Sequence, residues 1–288
     1  MKIGSEAHKE LFCRSFMESY QEYEPAKLPW PTLDAAALER LRGIPFWQEA
    51  LRVERRAGVM VTAFAETISD PMIREAIALQ AKEETRHGRL IQFLIEHYDV
   101  KIDEPPAAEI PANIEQEFID FGFGECLDSY FAFGMFGLAR ETNYFPEALF
   151  TIFDPILHEE ARHIVFFTNW VSYLQVQQGR GFAPLRGLYS GWHYGRALLH
   201  LAQIFGNAGD GTGEVFTATG AGTFADNLTP DRVFSMCLRE NAQRMSVFDE
   251  RLLQPRLLPR LSAIALRTLR LLPRRQPAPQ ANIGVSES

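Results

Sequence analysis

The chain poses one buried-charge problem twice, and this limits what it can fold into. The pentapeptide Glu-Glu-x-Arg-His occurs as Glu83, Glu84, Thr85, Arg86, His87 and again as Glu159, Glu160, Ala161, Arg162, His163. Residues three apart on an α-helix share a face, so Glu84 falls with His87 and Glu160 with His163. Those faces are otherwise apolar at helical spacing: Ile73, Ile77, Ala81, Gly88, Ile91 and Ile95 around Glu84, and Phe153, Ile156, Ile164, Phe167 and Val171 around Glu160. A carboxylate turned into a core must be protonated, paired or bound to a cation. Two such carboxylate-imidazole pairs point to metal binding.

Two lone acids sit in similar stripes. Glu54 shares its face with Trp47, Leu51, Gly58, Val61, Ala65 and Ile68, and Glu125 shares its face with Ile114, Phe118, Phe121, Ala132 and Phe136. Turn signals at Ser69-Asp70-Pro71 and over 142–146 lie about midway between each lone Glu and the Glu-x-x-His pair that follows it. Each half therefore predicts an antiparallel helical hairpin with its Glu level with its pair. Glu66, close to the first turn and flanked by Thr62 and Ser69, reads as a surface acid, and His97 and His158 read as ordinary core or surface histidines.

With that order of residues, the stretch 46–171 resembles the ferritin-like di-iron carboxylate superfamily. In its four-helix bundle, two helices each give one inward Glu and the other two each give a Glu-x-x-His. The resemblance implies an all-α fold, a ferritin-like four-helix bundle with an N-terminal helical extension and additional C-terminal helices. It implies that Glu54, Glu84, His87, Glu125, Glu160 and His163 are metal ligands. It also implies that Glu83 bonds His163 and Glu159 bonds His87, because a ligating His commonly gives its second ring proton to a carboxylate. The competing reading for Glu83 and Glu159 is a solvated helix face, with Arg86 and Arg162 paired to nearby acids.

Four carboxylates with two imidazoles suit iron or manganese better than zinc. The cofactors expected by resemblance are two Fe ions, a mixed Mn/Fe pair being compatible, with O2 as co-substrate and an external electron donor. The implied activity is that of a non-heme di-iron oxygenase or oxidase that hydroxylates, desaturates or N-oxygenates a small apolar or carrier-bound organic substrate. The alternative is a ferroxidase or another iron-handling protein. It is less favoured because the chain continues well past the expected bundle. Ser129 lies one turn after Glu125, where some hydroxylases of the superfamily carry a Thr thought to help handle oxygen or protons. The helix around it alternates Phe with small residues, and Phe121, Gly122, Ala132 and Phe136 line either a substrate pocket or a tight helix contact.

The expected organisation is an N-terminal helical extension over 1–45, the di-metal bundle over 46–178, further helices over 179–272 and a disordered tail over 273–288. The extension holds a helix over 5–22 and a second one, capped by Asp34, reaching Arg42. The bundle helices are read over 46–69, 71–98, 112–140 and 146–178, and later helices over 182–205 and 230–248. His193 and His200 share a face seven residues apart, a pattern more common in core or surface histidines than in ligands. The glycine-rich stretch 206–222 lacks a phosphate-binding pattern and reads as a loop.

Composition narrows the partners. The 288 residues carry a formal charge of −8, which excludes general nucleic-acid binding by the main body. Cys13, Cys126 and Cys237 form no CxxC pair, and residues 1–10 are polar rather than a signal-peptide run, so the expected compartment is the cytoplasm. Residues 251–275 hold seven Arg and no acid among many Leu. Packing of those Leu on the bundle is the favoured reading. Docking of an acidic carrier or reductase comes next, contact with a membrane surface is not favoured, and a homodimer is compatible with all of this.

Overall fold

A computed structural model describes residues 1–207 and 229–271, with the backbone alone for 200–207. The expected tail, most of the glycine-rich stretch and the His200 side chain lie outside the described residues. Among the described residues the protein is all-helical, with nine α-helices and no strand. They are α1 (Glu6–Glu18), α2 (Ala35–Arg42), α3 (Trp47–Thr67), α4 (Pro71–His97), α5 (Ile114–Glu141), α6 (Glu147–Gln177), α7 (Ala183–Asn207), α8 (Pro230–Met245) and α9 (Leu257–Leu271). None of the described helices is long and apolar enough to cross a membrane.

Local chemistry sets the helix starts. Asp70 caps α4 by accepting from the backbone N–H of Met72 at 3.0 Å and of Ile73 at 3.1 Å, and Pro71 occupies the first helical position, where no N–H donor is needed. Lys9 of α1 donates to the same Asp70 at 2.5 Å, which pins α1 to the α3–α4 turn. Ser5, Asp34, Asn113 and Thr229 cap α1, α2, α5 and α8 in the same manner.

Two ends differ from the sequence reading. α1 stops at Glu18, short of the expected 22, because Tyr20 and Tyr23 turn away to stack on the Arg86 guanidinium, 5.3 and 4.1 Å from their ring centres. α9 begins at Leu257, inside the Arg-rich segment for which the sequence reading gives no helix bounds, and Pro259 falls in its first turn, where a missing N–H is harmless. Leu258 and Leu266 of α9 are buried, so one face of the Arg-rich segment packs on the protein.

α3 packs on α4 and α5 on α6, each pair joined by a short turn, while α3 also meets α5 and α4 meets α6. Gly58 permits the first pairing: a Cβ there would lie 2.7 Å from Thr85 Oγ1 and 3.3 Å from Thr85 backbone atoms. α1 lies over α4 and α6, α7 and α8 pack on α5, and α9 packs on α8. Along α3 and α4 the buried apolar residues fall into two clusters. One holds Met60, Phe64, Ile73 and Ile77; the other holds Trp47, Leu51, Leu94 and Ile95. Glu54, Glu84 and His87 lie between them.

Candidate metal centre

α4 presents Glu84 and His87 one turn apart, and α6 presents Glu160 and His163 in the same way. The two imidazoles face each other across the interior with ring centres 5.8 Å apart. His87 Nδ1 is 3.2 Å from Glu160 Oε1, 3.5 Å from Glu54 Oε2 and 3.7 Å from Glu84 Oε2. His163 Nδ1 is 3.2 Å from Glu84 Oε1 and 3.7 Å from Glu160 Oε2. Donor atoms of Glu54, Glu84 and His87 all lie within 4.8 Å of one another, as do those of Glu84, Glu125 and His163. Glu84 is therefore common to two triads, and Glu160 touches both histidines.

The far side of each ring is tied down crosswise. His87 Nε2 pairs with Glu159 Oε2 at 2.8 Å and His163 Nε2 with Glu83 Oε2 at 2.9 Å. If Nε2 carries the proton in each bond, Nδ1 is left with a lone pair aimed at the carboxylates. Both Nδ1 atoms and Glu125 Oε2 are buried without a hydrogen-bond partner. Buried polar atoms are seldom left unpaired, and these are the atoms a pair of cations would take.

A second layer holds the carboxylates of the first. Arg162 Nη1 donates to Glu83 Oε1 at 2.6 Å, its Nε donates to Ser19 Oγ at 2.8 Å, and its Nη2 donates to the Phe16 carbonyl. Arg86 Nη2 donates to Glu159 Oε1, its Nη1 donates to Tyr20 Oη at 3.1 Å, and Tyr23 Oη donates to Glu159 Oε2 at 3.2 Å. The Arg of each motif thus serves the first Glu of the other. Glu83 and Glu159 are 0% and 1% exposed, which excludes the solvated-face reading for them, while Arg86 and Arg162 do pair with nearby acids. The outer charges cancel, Arg162 against Glu83 and Arg86 against Glu159, which leaves the inner four carboxylates to be neutralised.

Without a cation the inner set holds protons. Burial opposes charge on both histidines, but the surrounding carboxylates overcome it, raising His163 to about 10 and His87 well above its ordinary value. Burial, reinforced by Glu160 and Glu84, pushes the Glu125 carboxyl well up. Burial also takes Glu54 to about 7 against the pull of His87, even though 19% of its side chain is exposed. Glu160 stays well below the usual carboxylate range despite burial, because His163 and His87 stabilise its charge.

Several participants were not visible in the sequence as such. Gln80 Nε2 donates to Glu84 Oε1 at 3.1 Å; its position one turn before Glu84 was the available signal. Tyr20 and Tyr23 follow the end of α1 with no periodic pattern to mark them. Ser129 is buried, with Oγ 3.5 Å from Glu160 Oε2. Glu66 is exposed. His193 pairs through Nδ1 with Asp120 Oδ1 at 2.9 Å and is in neither triad.

The pocket residues divide. A Cβ on Gly122 would meet the Phe167 ring at 2.2 Å, so at that position the space is filled and the helix-contact reading holds. Phe121 packs beside Phe118, Phe136 packs on Phe150 and Phe153, and Ala132 is half-buried.

In comparisons with known proteins, no family model, no curated protein and no solved structure matches this chain.

Proposed function

We propose that α3–α6 form a ferritin-like four-helix bundle in which Glu54, Glu84, His87, Glu125, Glu160 and His163 hold two iron ions. The protein is then a di-iron, O2-dependent oxidoreductase, a mono-oxygenase or oxidase acting on a small apolar or carrier-bound organic substrate with electrons from an external donor. The observation that supports this reading is the pair of unpartnered Nδ1 atoms, each fixed from behind by a carboxylate and facing shared carboxylates in front. Two divalent ions neutralise four carboxylates, and the mixture of carboxylate oxygen and imidazole nitrogen suits iron or manganese. When bound, such an iron pair supplies the electron-transfer steps that let dioxygen serve as oxidant.

The chain's own residues perform the supporting tasks. Glu83 and Glu159 hold the imidazole tautomers, and Arg162 and Arg86 hydrogen-bond those two carboxylates in place. α1 covers this layer and keeps water from it. In this reading the Ser129 hydroxyl, 3.5 Å from Glu160 Oε2, passes a proton there. α7, α8 and α9 add walls beyond α3–α6 that an iron-handling subunit would not need, which favours the enzyme reading over ferroxidase. The test is O2 uptake by protein loaded anaerobically with Fe(II). Rapid uptake that is lost in His163→Ala supports the reading. Fully loaded protein that consumes no O2, with or without reductant, contradicts the oxidoreductase function while leaving the metal centre standing.

A further inference from the structure

α7 packs one side into the protein and, among the described residues, presents an apolar exposed face on the other. Tyr194 is buried, its ring 4.9 Å from that of Phe123, and His193 stacks on the same Phe123 at 5.0 Å. On the opposite side Leu185, Leu188, Trp192 and Leu199 follow at helical spacing. They are 49%, 72%, 67% and 65% exposed, and Phe182, just before the helix, is 67% exposed. Five of the thirteen exposed large hydrophobic residues among those described fall on α7 or the residue just before it, and a concentration of that kind marks a contact surface.

The charge around the face identifies the occupant. No acidic residue occurs between Glu160 and Asp210, while Arg180, Arg186 and Arg196 flank the apolar stripe. Arg180 lies over the Tyr189 ring at 5.0 Å, Arg186 donates to the Gly181 carbonyl, and Arg196 reaches Asp120 at 3.3 Å with its side chain 52% exposed. A second copy docked face to face about a two-fold axis would oppose one basic rim with another, and the α7 sequence carries no acid to pair with it. An anionic bilayer complements both properties: acyl chains accept Leu and Trp, and headgroups accept Arg.

We propose that α7 is an interfacial helix that seats the protein on a membrane surface containing anionic lipid, with Leu185, Leu188, Trp192 and Leu199 at the acyl boundary and the three arginines at the headgroups. The helix lies in the surface and does not span it. The inference is independent of the metal reading, and it places membrane contact on a different element from the Arg-rich α9.

The test is flotation of the full chain with vesicles of phosphatidylcholine alone or with about one-third phosphatidylglycerol. The wild type is expected to float with the anionic vesicles and not with the neutral ones, and to be released by salt. Leu188→Glu with Trp192→Glu should lower partitioning at least about tenfold, whereas Arg260→Glu with Arg267→Glu on α9 should leave it within about twofold. Brominated acyl chains should quench wild-type tryptophan fluorescence, and Trp192→Phe should keep binding but lose the quenching, a readout that does not depend on a disruptive variant. Failure of the wild type to float, equal flotation of the α7 double variant, or quenching that survives Trp192→Phe would overturn the proposal. A dimer in solution that the α7 double variant converts to monomer, without flotation of the wild type, would assign the face to a second copy instead.

Discussion

His87 Nε2 lies 2.8 Å from Glu159 Oε2, and Glu159 belongs to the other copy of the repeated motif. The reciprocal pair, His163 with Glu83, spans 2.9 Å. Each motif therefore supplies an inner Glu and His and, at the same time, the outer Glu and Arg that hold its counterpart. Neither copy is complete alone, and this is the physical reason for the repeat.

The outer carboxylates should tune affinity rather than create it. Glu83→Gln is expected to weaken Fe(II) binding by about 10- to 100-fold without abolishing it, because the ring of His163 loses its charged anchor. Equilibrium metal titration reads this directly, and an unchanged dissociation constant would show that the Glu83–His163 bond is irrelevant to the site.

The buried arginines should matter for folding even without metal. Arg162→Met removes one charge-assisted bond from the buried Glu83 carboxylate, leaving it with His163 and with Arg86 3.8 Å away, and losing one such bond costs about 1.5–3 kcal/mol. Denaturant unfolding of the metal-free variant would measure it. A loss below about 1 kcal/mol would mean that Glu83 simply takes up a proton.

The metal-free protein should lose stability as pH rises. His163 is raised from 6.5 to about 10, so its contribution is complete below 6.5 and lost as pH passes through 10. Glu54 is raised from 4.5 to about 7, so it acts in the same direction between those values. Glu160, held low, acts oppositely, but only below the ordinary carboxylate range. Metal loading requires these groups to give up their protons, so it should release protons and flatten or reverse the trend above about pH 5. Unfolding midpoints of metal-free and loaded protein across this range test the sign. A metal-free protein that gains stability toward pH 9 would contradict the protonation pattern.

Gly122 separates a filled interface from an open pocket. Gly122→Val should destabilise by about 1–3 kcal/mol through overpacking against Phe167. A neutral substitution there would restore the pocket reading of that position.

The sequence was informative where one periodicity governed many residues. The stripes around Glu54, Glu84, Glu125 and Glu160 marked α3 to α6, because helical burial repeats along the whole element. Asp70-Pro71 marked the turn that levels Glu54 with Glu84, because capping chemistry is local. Contacts formed by irregular backbone left no such trace: Tyr20 and Tyr23 reach Arg86 from beyond the end of α1. Gly122 could have faced a void or a ring, and only the position of Phe167 on the neighbouring helix decides which. The exposed face of α7 was equally hidden, since its spacing gives the stripe but not which side is covered.

Metal analysis after anaerobic loading with Fe(II) and removal of excess reads the occupancy of the proposed site itself. About two irons per wild-type chain are expected, and clearly fewer in Glu54→Ala, Glu125→Ala and His163→Ala. A folded wild-type protein that retains no stoichiometric metal, or variants that all retain two, would contradict the proposed site, and in the first case the inner residues would form a protonated ion-pair network in a helical scaffold.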